Sequence, residues 1–531
     1  MVNELEGRVA LLGAGVRGRS DQRECAELLL FTSKRSIVVN TRSKHNVYVL
    51  VALTAAFLAP ALVRASVPDI DINYNVKDAL RVDPRVNGAG ITATTVSGIV
   101  TLSGSVDNLA AKTYAVAEAK KINGVLGVID KINVTPSFRW DTDISNAVLR
   151  RILNSAVIRS QGLIVTCKDG VVTLSGTVSS YSEEQQAGLL ASEVRGVKQV
   201  TNNIVTKWNS TRSDLEIKND AVAAIGRNVY LVGLPITVAV QDGIVSLSGV
   251  VGNAYEKDHA FDAVRWISNV TGVKNGLTVQ WYDNHGVKAE TTTPSDDVIT
   301  QAMRKSLDQD SRLVASQIGI RTSFGEVTLD GSVYGQYEKG IAEQDAKNIV
   351  GVGWVRNNLS VRADQREDWA IADDVHFNLN TDAVTEGFGL GASVTNGTVT
   401  LTGRVHSWYQ WSHADDVASR VRGVKAVIDN ITVSQANYTN GTNWKQDADL
   451  VKSIKSRLRI DWGTWWALNT INVTVRNGVA TLEGNVGSWT VRQEAGDLAL
   501  HTFGISEVDN RLTVEGVAYP WDEHHVKVTG F

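Results

Sequence analysis

The chain has 531 residues, 43% hydrophobic and 21% charged. That length is too great for one core, and that composition excludes a disordered, collagenous or polytopic membrane chain. Its two cysteines, Cys25 and Cys167, are too few for a disulfide scaffold or a four-cysteine zinc site. A net charge of −4 offers no basic footprint for neutralising phosphates, so nucleic acid is not an expected partner.

From the N-terminus, Gly13, Gly15 and Gly18 fit a G-x-G-x-x-G pattern. Phosphate cradling also needs a following helix and an acidic residue ~20 positions on, at a second strand. That context is missing, because the stretch runs into the apolar segment 47–63, VYVLVALTAAFLAPALV. With Arg42 and Lys44 before it and Val63-Arg64-Ala65 after it, this segment reads as a secretory signal peptide cleaved near Ala65. The other reading is a membrane-anchoring helix near the lower length limit for spanning ~30 Å of hydrocarbon. The first 65 residues hold nine Lys/Arg and five Asp/Glu, which leaves 44 against 52 beyond them and a mature net charge of −8.

Beyond Ser66 one phrase recurs six times: SGIVTLSGSV, DGVVTLSGTV, DGIVSLSGVV, FGEVTLDGSV, NGTVTLTGRV and NGVATLEGNV. Its turn glycines are Gly98, Gly170, Gly243, Gly325, Gly397 and Gly478, spaced 72, 73, 82, 72 and 81 residues apart. A second glycine follows six residues on, at Gly104, Gly176, Gly249, Gly331, Gly403 and Gly484. Asp-Gly or Asn-Gly before an alternating run signals a type I′ hairpin, since both turn residues need positive φ. Ahead of each hairpin lies an acid-led helical segment; in Asp141 to Leu153 it places Ile144, Val148 and Ile152 on one face. After it, segments such as Ser182 to Arg195 and Ala414 to Arg422 have helical spacing and lead to a Val-rich strand. Strand, helix, strand in that order predicts a parallel crossover.

The predicted fold is therefore α+β: a tandem array of six small αββαβ domains, each a three-stranded mixed sheet with two helices on one face. Expected boundaries are 1–65 for the upstream segment and signal peptide, then 69–136, 141–208, 212–281, 295–363, 366–434 and 446–516 for the repeats, with 517–531 as a tail. Polar insertions at 282–294 and 435–445 predict clusters of three, two and one domains along the chain.

A closing phrase completes the pattern: GVLGVIDKINV from Gly124, GVKQVTNNIVT from Gly196, GVGWVRNNLSV from Gly351, GVKAVIDNITV from Gly423 and GISEVDNRLTV from Gly504. With the hairpin glycine and the L-x-G after it, this resembles the BON (bacterial OsmY and nodulation) domain, over essentially all of 69–516. Departures are Asn269 at the glycine of copy three, Asp130 and Asp429 in place of the closing asparagine, and Phe324 in the fourth turn. The resemblance implies phospholipid binding, envelope integrity and osmotic-shock protection in a Gram-negative periplasm.

No HExxH, GxSxG or partnered SxxK occurs, so neither an enzyme nor a cofactor is expected. His524-His525 beside Glu523 sit in the tail with no enforced geometry. His413 with Asp416 and Asp373 with His376 have i,i+3 spacing on expected helices and could touch a metal, but read as acidic first-turn residues that favour the helix dipole. Cys167, on a hairpin strand, reads as a small packing residue rather than a nucleophile.

The candidate binding site is in copy six. Lys452, Lys455 and Arg459 share one helical face opposite Leu450, Ile454 and Leu458, and Trp462, Trp465 and Trp466 follow. Basic residues beside tryptophans suit a lipid headgroup zone; the bland alternative is a core-facing apolar row with solvated charges. Tyr181, Tyr255, Tyr337, Trp408, Trp411 and Trp489 recur near the start of the second helix, as a contact stripe or as helix-entry staples. The partners expected are a phospholipid surface or, as the rival reading, periplasmic envelope proteins held on a scaffold or chaperone-like module.

Overall fold

The computed structural model describes residues 67–86, 90–208, 212–280, 294–313, 317–433, 446–461 and 463–514. The glycine pattern 13–18, the apolar segment 47–63, the polar insertions at 282–293 and 435–445, Trp462 and the tail histidines lie outside the described residues. Six αββαβ units follow one another, as the repeat predicts. Their first and second helices are α1 (Asp69–Val82) and α2 (Leu109–Lys121), α3 (Asp141–Leu153) and α4 (Tyr181–Ser192), α5 (Asp214–Arg227) and α6 (Ala254–Arg265). Then come α7 (Asp296–Gln309) and α8 (Gln336–Lys347), α9 (Asp368–Thr381) and α10 (Trp408–Ser419), α11 (Asp447–Ile460) and α12 (Trp489–Leu500).

In copy one, β1 (Ile91–Val96) and β2 (Ile99–Val106) form the antiparallel hairpin, and β3 (Gly127–Val134) lies parallel to β2 on its other side. Every copy repeats this order with the hairpin's second strand in the centre; in copies three and four the last strand is split in two. The cores follow the helix spacing. Ile72 and Val76 of α1 pack on Val100, Leu102 and Ala115, and Leu450, Ile454 and Leu458 of α11 pack on Ala480, Leu482 and Ala495. Burying each such Val, Leu or Ile contributes ~1.5–3 kcal/mol.

The glycines now have reasons. In all six turns both central residues have positive φ, including Ser97 and Phe324, so the hairpin geometry is kept without a favourable first residue. The second glycine is steric: a Cβ at Gly104 would lie 1.9 Å from the Gly90 carbonyl oxygen, and at Gly484 1.8 Å from that of Thr470. Asn269 replaces the third glycine at φ +70°, a region asparagine tolerates better than other side chains do.

The leading aspartate of each unit does more than favour the helix dipole. Asp141 accepts from the backbone N–H groups of Asp169 (2.7 Å) and Gly170 (2.9 Å), clamping the hairpin turn to the helix start. Asp69, Asp214, Asp296, Asp368 and Asp447 repeat the clamp. The closing asparagine is likewise structural: the Asn202 amide donates to the Glu184 carbonyl and accepts from the Ile204 N–H. Where Asp130 replaces it, Lys112 lies 3.1 Å away and compensates. Among the described residues no cation stands at ion-pair distance from Asp429; one of its oxygens is orphaned, and burial pushes its carboxyl up to about 6.

The expected grouping of three, two and one domains is corrected by the structure. Copies pair as one with six, two with five and three with four, each pair joined by reciprocal backbone bonds. Arg195 N–H donates to Thr381 and Ala383 N–H to Glu193 in the two–five pair. Val229 N–H donates to Asn348 and Val350 N–H to Arg227 in three–four; Asn123 N–H donates to Ile460 and Phe503 N–H to Val82 in one–six. Linker length could not reveal this, because the partners lie up to hundreds of residues apart and meet through loops after the helices.

Candidate functional site

The face of α11 that carries Lys452, Lys455 and Arg459 is exposed, and the Lys452 side chain is 80% open, with only a 3.5 Å contact to Asp449. The opposite row, Leu450, Ile454 and Leu458, is buried in the copy-six core. The sequence therefore placed both faces of this helix correctly. Trp465 and Trp466 begin the 3-10 turn Trp465–Thr470, and their side chains lie outside what the structure describes.

The same helix carries a residue that sequence reasoning passed over. Arg457 is 1% exposed and reaches into copy one, where it meets Asp83 at 3.3 Å and Glu118 at 3.2 Å and donates to the His501 carbonyl. Arg85 of copy one closes the cluster on the same two carboxylates. Burial pushes the Asp83 carboxyl up, but Arg85 and Arg457 outweigh it and hold it well below the usual carboxylate range. Thus one face of α11 is locked to copy one while its basic face stays outward.

Copy two has the matching device. Arg151 meets Asp382 of copy five at 3.0 Å, and His413 Nε2 lies 3.0 Å from the other oxygen of that carboxylate. The Asp382 carboxylate raises the His413 imidazole against its burial, and the cations hold Asp382 low. His413 is therefore an interface residue hydrogen-bonded to Asp382, with Asp416 only a weaker charge nearby, and Asp373 pairs with Arg150 of copy two. Arg151 and Arg457 both stand ten residues after the leading aspartate, where the other copies have Ala79, Ala224, Ser306 and Asn378. A comparison of repeats could have flagged that column by its polarity alone.

Most of the recurring aromatics join copies instead of forming an outward stripe. Tyr181 enters the core of copy three, and the Tyr337 hydroxyl accepts from Gln186 of copy two. Trp408 packs on the copy-six core and donates to the Ser506 carbonyl. Trp489 stands edge-on to Trp354 of copy four at 4.5 Å, and Tyr255 packs beneath Lys121 of copy one. Trp411 and Trp489 are also buried in the cores of their own copies.

Cys167 donates to Asp141 at 3.3 Å, and burial with that carboxylate pushes its thiol up to about 12, which leaves no thiolate for nucleophilic work at neutral pH. Among the described residues no group of three His, Cys, Asp or Glu is placed to hold a metal ion. Among them, too, no helix is long and apolar enough to cross a membrane.

The BON domain model matches residues 68–136, 141–207, 213–280, 295–363, 367–435 and 446–516. The osmotically-inducible protein Y of Escherichia coli K12 is 34% identical over 146 residues, spanning 26% of this chain and 73% of that protein. The outer membrane lipoprotein DolP of Haemophilus influenzae is 26% identical over 147 residues, 27% of this chain and 76% of the relative. Among solved structures, CdsD of the Chlamydia trachomatis type III secretion system aligns over 42% of this chain and 94% of its own at 16% identity, with a TM-score of 0.12.

Proposed function

The chain belongs to the BON-domain family, and from that premise we propose that it is an exported, non-enzymatic envelope protein that docks on anionic phospholipid through copy six. The observation that carries this reading is the outward basic face of α11, Lys452, Lys455 and Arg459, on a helix whose other sides are fixed by a core and by copy one. Each cation near an anionic surface is worth ~1 kcal/mol, so three give a weak, salt-sensitive contact. Pairing of the six copies holds that face rigid, which lowers the ordering cost of docking. A relative named as osmotically inducible and another named as an outer membrane lipoprotein support a role in envelope maintenance or osmotic protection. Export through the 47–63 segment, with cleavage near Ala65, is part of the proposal.

Co-sedimentation of the purified protein with phosphatidylglycerol-containing and purely zwitterionic vesicles tests it. Pelleting with the anionic vesicles should be lost on changing Lys452, Lys455 and Arg459 together to Ala. No pelleting with either vesicle would replace this reading with a scaffold that binds other envelope proteins.

A further inference from the structure

A cavity of about 740 Å³ lies where copies two, three and four meet. Nothing in the lipid reading uses it. Three guanidiniums stand on its wall: Arg227 and Arg265 from copy three and Arg312 from copy four. Arg265 and Arg312 both lie against the Trp266 ring, at 4.1 and 4.4 Å from its centre. Two of the three are neutralised. Arg312 is held by Asp310 through paired 2.9 Å contacts and lies 3.4 Å from Asp345; Arg265 meets Asp262 at 2.9 Å.

Arg227 differs. Its side chain has one hydrogen bond, to the neutral Gln309 amide oxygen at 2.7 Å, and no carboxylate at ion-pair distance among the described residues. The orphaned atoms on this wall point the same way. Arg227 Nη1, Arg265 Nε and Gln309 Nε2 are buried without a partner, and all three are donors. Gln309 is itself only 5% exposed. An unpaired donor shielded from water costs ~1–3 kcal/mol, more when charged, so three in one cavity wall are expensive unless something accepts from them. Burial pulls the Arg227 guanidinium below its ordinary value against the opposing pull of Asp345, Asp220 and Asp310, while burial and the neighbouring Asp310 push the Asp345 carboxyl well above its own. His259, also on the wall, is held neutral, its imidazole pulled down to about 4 by burial. The wall sets three guanidiniums against the three carboxylates Asp262, Asp310 and Asp345, and what the packing leaves uncompensated is the excess of orphaned donors.

We propose that this junction is a binding site for a small soluble oxyanion, a molecule presenting one carboxylate or phosphate group to Arg227 and Gln309. An oxyanion is acceptor-only and matches a guanidinium with two oxygens. The neighbouring side-chain amides of Asn228 and Gln344 line the same cavity and can face the rest of such a molecule. Arg227 gives up only its contact with Gln309 to reach it. Because three copies supply the wall, occupancy would tie copies two, three and four together and stabilise that junction by mass action.

Isothermal titration of the purified full-length protein with inorganic phosphate and with citrate, against chloride at equal ionic strength, tests the site. Saturable binding of either oxyanion with a Kd of about 1 mM or tighter is expected, phosphate indicating a phosphoryl ligand and citrate a carboxylate. Arg227→Gln should weaken it by about 10-fold or more, while Arg321→Gln, on an exposed sheet face with its charge on Asp330, should leave it unchanged. Gln309→Glu supplies Arg227 with an internal carboxylate; it should raise the melting temperature and abolish binding, which separates loss of the site from loss of the fold. Binding no better than chloride for both probes, or equal affinity in the Arg227 and Gln309 variants, would overturn the proposal.

Discussion

Replacing Arg457 with Met keeps most of the side chain's length while removing the charge that joins copy six to copy one. The guanidinium is 1% exposed, and its partners Asp83 and Glu118 are 0% and 4% exposed, so water cannot take its place. Breaking a buried ion pair by removing one partner typically costs ~3–5 kcal/mol. Here Arg85 remains, at 2.5 Å from Asp83 and 2.9 Å from Glu118, so neither carboxylate is left wholly uncompensated. The His501 carbonyl also loses its donor, and we place the total near the bottom of the range, about 3 kcal/mol. A single global unfolding energy is poorly defined for six cooperating domains, so the assay should be local. The Asn123 and Phe503 amides bond across this pair to the Ile460 and Val82 carbonyls. Hydrogen exchange at those two positions should quicken by about 100-fold in the variant, at 1.4 kcal/mol per tenfold. Arg195 and Ala383, which bond across the two–five pair, should keep their protection. Unchanged exchange at Asn123 and Phe503, or an equal loss at all four amides, would refute the view that Arg457 holds one particular pair.

Gly484→Ala should cost ~3 kcal/mol or more and unfold copy six first, because the added Cβ meets the Thr470 carbonyl at 1.8 Å while φ stays at +135°; limited proteolysis would show early cleavage within 446–516. Asp497 is pushed up to about 7, by burial first and then by Glu494. A carboxyl raised in the folded state holds its proton there but not in the unfolded chain, so its penalty is absent below about pH 4 and grows to its full size as pH rises through 7. Asp497→Asn should therefore stabilise the protein more at pH 8 than at pH 5, by about 1–3 kcal/mol in urea titrations; a larger gain at pH 5 would contradict it. A protease site inserted between residues 282 and 293 should leave two halves that still co-elute in gel filtration, since every domain pair joins one copy before the cut to one after it. Separation of the halves under native conditions would sink the pairing.

Much of this was legible in the sequence because the signals were local. Period-two and helical spacing set the αββαβ order, and Asp-Gly and Asn-Gly marked the hairpins. The row Leu450, Ile454 and Leu458 located the core side of α11, and so its basic side. Sixfold recurrence turned each weak local signal into a firm one, and even the departures at Asn269 and Phe324 kept the backbone that the glycine pattern demanded. These features depend on neighbours within a few residues, and φ, ψ and hydrophobic period are written at that range.

Which copy meets which was decided only in three dimensions. The aromatics at the second helices looked alike in sequence, yet Tyr181 fills the core of copy three, Trp408 that of copy six, and Trp411 that of its own copy. Arg457 read as one more charge on a helix, although its partners Asp83 and Glu118 lie more than 300 residues away. The second glycine could be counted in the sequence, but its cause, a carbonyl oxygen pressed against the Cα of the next strand, exists only once the strands pair. The cavity bounded by Arg227, Arg265 and Arg312 has no signature at all along the chain, because burial, and with it the energetic weight of a charge, is a property of the packed assembly of domains rather than of any one repeat.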